Sequence, residues 1–170
     1  MNNNVNVNNI IRVVLWMTGT LLSFSLMAVS IRELSRGGLS IFEILAIRSG
    51  AVLLVVLFLM LVRPELRLAV RTRRLRLHLL RNVVHYISQF AWAYTLTLLP
   101  LAMVFALEFT MPAWTAVLAV WLLSETMTKS RLGVVVLGLI GVLVILRPGV
   151  AAINPAAFLV LGAAFGYAIT

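Results

Sequence analysis

One long apolar stretch, residues 82–123, limits what this chain can fold into more than any other feature. It reads NVVHYISQFAWAYTLTLLPLAMVFALEFTMPAWTAVLAVWLL, is divided by Pro100 and carries a single acidic residue, Glu108. A helix rises about 1.5 Å per residue and a bilayer core is about 30 Å thick, so the stretch is long enough for two membrane spans. The sequence therefore predicts an integral membrane protein with a carboxylate inside the bilayer, where such a group usually has a function.

Composition supports this interpretation and excludes other classes. Of the 170 residues, 62% are hydrophobic and 11% are charged, whereas soluble domains carry roughly a quarter charged residues. The chain has no Cys and no Asp. Disulfides, thiolate metal sites and a cysteine nucleophile are thus excluded, and we predict no cofactor and no bound metal.

The hydropathy pattern predicts an all-α membrane protein with five transmembrane helices and the start of a sixth. We expect a polar N-terminal tail over 1–12, a five-helix unit over 13–147, and a turn with an incomplete sixth helix over 148–170. The predicted spans are 13–31, 41–62, the two in 82–123, and 132–146.

Basic residues predict the orientation. If the spans alternate in direction, one side receives ten of the fourteen Lys and Arg residues, most of them in the 63–81 loop, and the other side receives three. The positive-inside rule then places the N terminus and the 63–81 loop in the cytoplasm. The net charge of +9 therefore indicates a topology anchor or contact with anionic lipid. Nucleic acid is not an expected partner, because the loop has no interleaved aromatic residues.

Polar side chains within the third span fall on one face. At about 100° per residue, four of them lie within an arc of roughly 80°: Asn82, His85, Gln89 and Trp92. His85 is either a proton carrier or a neutral, hydrogen-bonded histidine.

On the fourth span, Glu108, Pro112 and Thr115 share a face together with Met111. Pro112 removes a backbone donor and is expected to kink the helix just past Glu108. Carbonyls freed beside a carboxylate are a common element of substrate and ion sites in transporters.

Depth in the bilayer suggests a partner for Glu108. Arg48 on the second span and Glu108 on the fourth are each on the order of 10 Å from the outer ends of their helices, and Tyr94 lies near the same level. Two interpretations remain open: Arg48 and Glu108 line one solute or ion pathway, by direct pairing or by facing one outward-open cavity, or they form a static ion pair between helices.

Four segments, in this order, resemble the EamA-type family of the drug/metabolite transporter superfamily: EILAIRSG (43–50), the PLA…FALEFTMPAW hairpin, LSETMTKSRLG (123–133) and GVLVILRPG (141–149). The resemblance implies a multi-pass carrier of small organic solutes in the bacterial inner membrane. It also implies ten helices in two five-helix repeats of opposite orientation, with the solute cavity between them. This chain would then hold the first repeat and the beginning of the second. The missing helices would come from the same parent chain or from a dimer partner.

Three functions follow from these patterns. The first is a secondary transporter of small organic metabolites or drugs, with proton or sodium as candidate coupling ions. The second is a membrane scaffold or subunit that does not transport. The third is a membrane-embedded enzyme, which we do not expect, because Glu108 and His85, the one possible acid/base couple, are predicted at opposite depths.

Overall fold

The computed structural model describes residues 7–63, 65, 72, 74–146 and 154–170. These residues form seven helical segments: α1 (Val7–Arg36), α2 (Ile41–Val62), α3 (Leu75–Leu98), α4 (Leu101–Glu108), α5 (Met111–Leu123), α6 (Lys129–Leu146) and α7 (Ala156–Ile169). The prediction of an all-α membrane protein is confirmed.

Local sequence determines where the helices end. Gly38, at φ 100°, makes the turn after α1. Ser40 then caps α2 in a reciprocal capping box with Glu43, whose carboxylate accepts from the Ser40 backbone N–H at 2.7 Å. Pro100, which has no backbone N–H, separates α3 from α4, and Ser124 ends α5 in the left-handed conformation at φ 54°.

The predicted kink beyond Glu108 is present. α4 ends at Glu108, Phe109 and Thr110 form a turn, and α5 begins at Met111 with Pro112 in its first turn. A proline is tolerated there because the first N–H groups of a helix have no intrahelical partner. α4 and α5 continue as one apolar segment, Leu101–Leu122, so the seven segments amount to six helices.

Three helical segments in the described ranges are long and apolar enough to cross a membrane: Asn9–Arg36, Ile41–Val62 and Leu101–Leu122. Ala156–Ile169 is apolar but shorter. α3 is long enough at 24 residues, but Asn82, His85 and Gln89 lower its hydropathy. The division into five spans and the start of a sixth therefore stays a prediction.

Buried apolar side chains gather at one end of the bundle, near the turns at 37–40 and 99–100. They come from the end of α1, the start of α2, the end of α3 and the starts of α4 and α7: Ala28, Ile31, Ile41, Ile44, Leu45, Leu96, Leu99, Val104, Ala156, Ala157 and Val160. Toward the other end the helices are open, and Trp16 and Leu61 are 78% and 68% exposed. The helices thus pack closely at one end, which we call the closed end, and diverge at the other.

α7 packs mainly on α3 and runs antiparallel to it. His85 near the start of α3 contacts Tyr167 near the end of α7, with ring centroids 5.3 Å apart. Close approach depends on Gly166, because a Cβ added there would meet the Oγ of buried Ser88 at 2.0 Å. Gly162 on the same helix is not constrained in this way, because a Cβ added there would have no atom within 4 Å.

The start of the first helix differs from the predicted position. α1 begins at Val7, although the sequence predicts a polar tail to residue 12 and a span from residue 13. A helix can extend beyond the hydrocarbon into water, where its end needs no apolar side chains, so hydropathy marks the span and not the helix. Residues 1–6, residues 64, 66–71 and 73 of the predicted basic loop, and residues 147–153 lie outside the described residues.

Candidate functional site

A cavity of about 350 Å³ lies between the helices. Its walls come from α1, α2, α3, α4, α5 and the end of α7: Phe24, Met27, Arg48, His85, Gln89, Trp92, Glu108, Met111, Tyr167 and Thr170. Five residues predicted as pathway candidates, Arg48, His85, Gln89, Trp92 and Glu108, are among them.

Glu108 is held by the neighbouring α3 helix. The indole Nε1 of Trp92 donates to the Glu108 Oε2 at 2.7 Å. Trp92 is 2% exposed, and Phe24 packs on its ring with centroids 5.3 Å apart. The carboxylate therefore has a fixed position beside aromatic groups, and its other oxygen is not engaged by the described residues.

Arg48 is held by the same helix, one turn away. With the Gln89 amide oxygen turned toward the guanidinium, it accepts from Arg48 Nη1 at 2.6 Å and Nη2 at 2.8 Å. We assign this orientation because the alternative places the amide NH₂ against the guanidinium donors. Gln89 and Trp92 thus position the two opposite charges.

Arg48 and Glu108 are not paired with each other. The described residues contain two ion pairs, Glu33–Arg36 and Glu125–Arg131, both exposed and both outside this cavity. A static bridge between helices, one of the two interpretations of the sequence, would need direct contact. The structure instead places both charges on the wall of one cavity. The sequence predicts a cavity open to the outside, but the helices pack closely at the end that the predicted orientation puts outside.

The end of α7 completes the wall beside His85. The His85 Nδ1 lies 3.5 Å from the Thr170 hydroxyl oxygen, and the imidazole contacts the Tyr167 ring. His85 is exposed. Seven residues separate His85 from Trp92 on α3, so the cavity extends about 10 Å along that helix.

The cavity is long enough to reach residues at different depths. Glu108 and His85, expected at opposite depths, both line the cavity. Their levels do differ along the helices, but the cavity is elongated enough to reach both.

Four predicted residues do not line this cavity. Tyr94 is 43% exposed and stacks on Phe90, with centroids 6.4 Å apart. Asn82 is exposed, one turn closer to the start of α3 than His85. Pro112 lines a neighbouring apolar cavity with Glu108 and Phe24, and the exposed Thr115 hydroxyl donates to the Met111 carbonyl at 3.0 Å.

The sequence did not identify Phe24, Met27, Tyr167 and Thr170 as wall residues. Phe24 and Met27 are three residues apart on α1, so they share a face of that helix. Tyr167 and Thr170 have the same spacing at the end of α7. Apolar and aromatic residues at that spacing are common throughout membrane helices, so spacing alone could not distinguish them. In the part of the chain that the structure describes, no three His or Glu side chains come together as metal ligands.

Apolar helices packed around a cavity with opposite, unpaired charges define a multi-pass membrane protein with a polar interior. Residues 11–147 match the EamA-like transporter family, and the chain belongs to that family. The family resemblance predicted from the sequence is confirmed.

Relatives with assigned functions include three S-adenosylmethionine uptake transporters. That of Rickettsia prowazekii is 33% identical over 101 residues, which is 59% of this chain and 34% of the relative. Those of Rickettsia felis and Rickettsia conorii are each 32% identical over 99 residues, 58% of this chain and 34% of each relative. The matched region is therefore about a third of each relative's length. No solved structure is significantly similar to this chain.

Proposed function

We propose that this chain is the N-terminal part of a carrier that moves a small organic solute across the bacterial inner membrane by alternating access. The cavity between the helices is the proposed solute pathway. S-adenosylmethionine is the first solute to test, because the relatives named above are uptake transporters for it. A proton or sodium ion is the proposed coupling ion.

The arrangement of Arg48 and Glu108 carries this proposal. Both charges line one cavity, and each is held by a neutral side chain of α3. Charged side chains inside a bilayer are costly, and those that line cavities usually mark substrate or ion pathways. A purely structural role would favour direct pairing, which would reduce that cost.

The proposed architecture assigns 13–147 to a first repeat of five transmembrane helices and 148–170 to the beginning of a second. α3 and α6 would both cross the membrane, although α3 carries polar side chains at Asn82, His85 and Gln89. An odd number of spans inverts the following repeat, and a solute site then lies between the two repeats. The match to 34% of each relative's length supports the view that further helices complete the carrier. They would come from the same parent chain or from a dimer partner.

The proposed orientation has the N terminus and the 63–81 loop in the cytoplasm, with the loop's arginines next to membrane lipid. The excess of Lys and Arg on that side supports it. The closed end of the helix bundle would then face away from the cytoplasm, and the cavity would open toward the cytoplasm.

The test is solute flux in proteoliposomes made with the natural gene product that contains this chain, with and without Glu108→Gln. The amide oxygen that this substitution introduces can still accept the Trp92 N–H, so folding should be retained, but the charge is lost. We expect saturable uptake by the wild type, and loss of uptake in the variant at unchanged thermal stability. Glu33→Gln is the matched control, since exposed pairs such as Glu33–Arg36 contribute little.

Two results would contradict the proposal. Uptake that survives Glu108→Gln would show that the carboxylate is not part of the pathway. The second result combines two observations: Glu108→Gln fails to fold, and the wild type transports none of the tested solutes. Together they would favour a scaffold in which Glu108 holds helices together.

A further inference from the structure

The two ends of the cavity differ in chemistry. The acid end is formed by Phe24, Trp92, Glu108 and Met111, and the arginine end by Arg48, His85, Gln89 and Thr170. Apart from one carboxylate, the acid end presents aromatic rings and a thioether. The arginine end presents a guanidinium, an imidazole, an amide and a hydroxyl.

The acid end suits a cation without N–H groups. An ammonium has three donors and needs several acceptors. Glu108 is the one carboxylate here, and its Oε2 already accepts from Trp92. A sulfonium or quaternary ammonium has no donor to satisfy, and both the carboxylate and nearby aromatic rings attract it.

The arginine end suits a carboxylate. The guanidinium has five N–H donors in a planar fork, and Gln89 engages Nη1 and Nη2 through a single oxygen. The remaining donors can bind a carboxylate, which guanidinium groups bind in a bidentate manner.

The solute that matches both ends carries separated opposite charges. Arg48 and Glu108 are too far apart for an ion pair, and residues one turn apart on α3 hold them in place. A solute with only one charge would leave the other charge of the cavity wall without a counter-charge, which is unfavourable inside a membrane.

Building on the proposed function, we propose that the cavity recognises a solute by two charges at once. The carboxylate of the solute binds Arg48, and its onium centre, a sulfonium or quaternary ammonium, binds Glu108 beside Phe24.

The experiment is equilibrium binding to the purified natural gene product in detergent, with three probes. S-adenosylmethionine has both groups, its decarboxylated analogue lacks the carboxylate, and S-adenosylhomocysteine lacks the sulfonium charge. The wild type should prefer S-adenosylmethionine over each analogue by about tenfold or more, which is the scale of one charge-assisted contact.

The variants assign each preference to one residue. Arg48→Gln should remove the preference over the decarboxylated analogue and keep the preference over S-adenosylhomocysteine, and Glu108→Gln should do the reverse. Arg48→Lys keeps the charge without the fork and should fall between Arg48→Gln and the wild type. Arg36→Gln and Glu33→Gln, from the exposed pair on α1, should bind all three probes as the wild type does.

The outcomes separate this inference from the proposed function. Two-charge recognition would be overturned if either variant lowered the affinity for all three probes equally. It would also be overturned if the wild type bound none of the probes or showed no preference among them. Selective binding with no flux in proteoliposomes would support the inference and contradict the proposed carrier function.

Discussion

At the scale of single residues, Gly166 makes the sharpest prediction about packing. Gly166→Ala would place a Cβ against the Ser88 side chain, 2.0 Å from its Oγ and 3.2 Å from its Cβ. Ser88 would have to give up its hydrogen bond to the Val84 carbonyl, now 2.9 Å long. We expect a loss of about 1–3 kcal/mol in stability, seen as a lower unfolding temperature in detergent.

The same helix offers the control for this prediction. Gly162→Ala adds its Cβ in open space and should not destabilise the protein. Ser88→Ala combined with Gly166→Ala should recover most of the loss, because the clashing oxygen is gone. Equal unfolding temperatures for Gly162→Ala and Gly166→Ala would contradict the α3–α7 contact.

The candidate site was predictable from the sequence in two ways, from a shared face of α3 and from the similar depth of Arg48 and Glu108. His85, Gln89 and Trp92 recur at three and four residues on α3, and all three line the cavity. Depth in the bilayer groups Tyr94 with Arg48 and Glu108, but Tyr94 lies two residues after Trp92, about 200° around the helix, and so faces away. The prediction that Thr115 shares a face with Glu108 assumes one continuous helix. The helix is broken at 109–110, so the spacing of about 3.6 residues per turn does not carry across from α4 to α5.

At the scale of helices, Arg32 ties the end of α1 to the end of α3. Its Nε donates to the Leu96 carbonyl at 2.7 Å, and its Nη2 donates to the Leu99 carbonyl. These carbonyls lack helical partners because α3 ends at Leu98 and Pro100 has no N–H. Arg32→Lys keeps the charge but not the two-point contact, and should cost about 1.5–3 kcal/mol in stability.

Arg36→Lys is the matched control for Arg32. Arg36 lies one turn further along α1 and forms only an exposed pair with Glu33, so we expect no measurable change in unfolding temperature. If Arg32→Lys and Arg36→Lys unfold at the same temperature as the wild type, the tie between α1 and α3 does not contribute to stability.

Helix boundaries were predictable where a residue's chemistry forces them. Pro100 predicts the turn between α3 and α4, and Pro112 predicts the kink after Glu108, because proline lacks the N–H that a continuing helix needs. The capping box at Ser40 and Glu43 also has a sequence signature, because a serine is followed three residues later by a glutamate. The pairing of α3 with α7 could not be predicted, because it depends on packing between segments about 70 residues apart in the sequence.

At the scale of the whole molecule, the absence of cysteine from the chain makes accessibility measurable. The cavity should admit a membrane-impermeant thiol reagent from the side of the 63–81 loop. Gln89→Cys in the cavity should react from that side, whereas Leu99→Cys, at a position only 4% exposed in the closed end, should not react from either side. Oriented vesicles and mass spectrometry would show this. Reaction of Leu99→Cys from the opposite side would contradict closure of that end.

Solute protection of a cavity thiol tests most directly the claim that the space between Arg48 and Glu108 is where a solute binds. Met27→Cys places a thiol on the cavity wall, and Met127→Cys places one on the exposed link between α5 and α6, at a position 40% exposed. S-adenosylmethionine is the solute to add first. The structure predicts that it slows modification of Met27→Cys and leaves Met127→Cys unchanged. If S-adenosylmethionine and a panel of other small organic solutes all leave the Met27→Cys rate unchanged, the cavity is not a solute site.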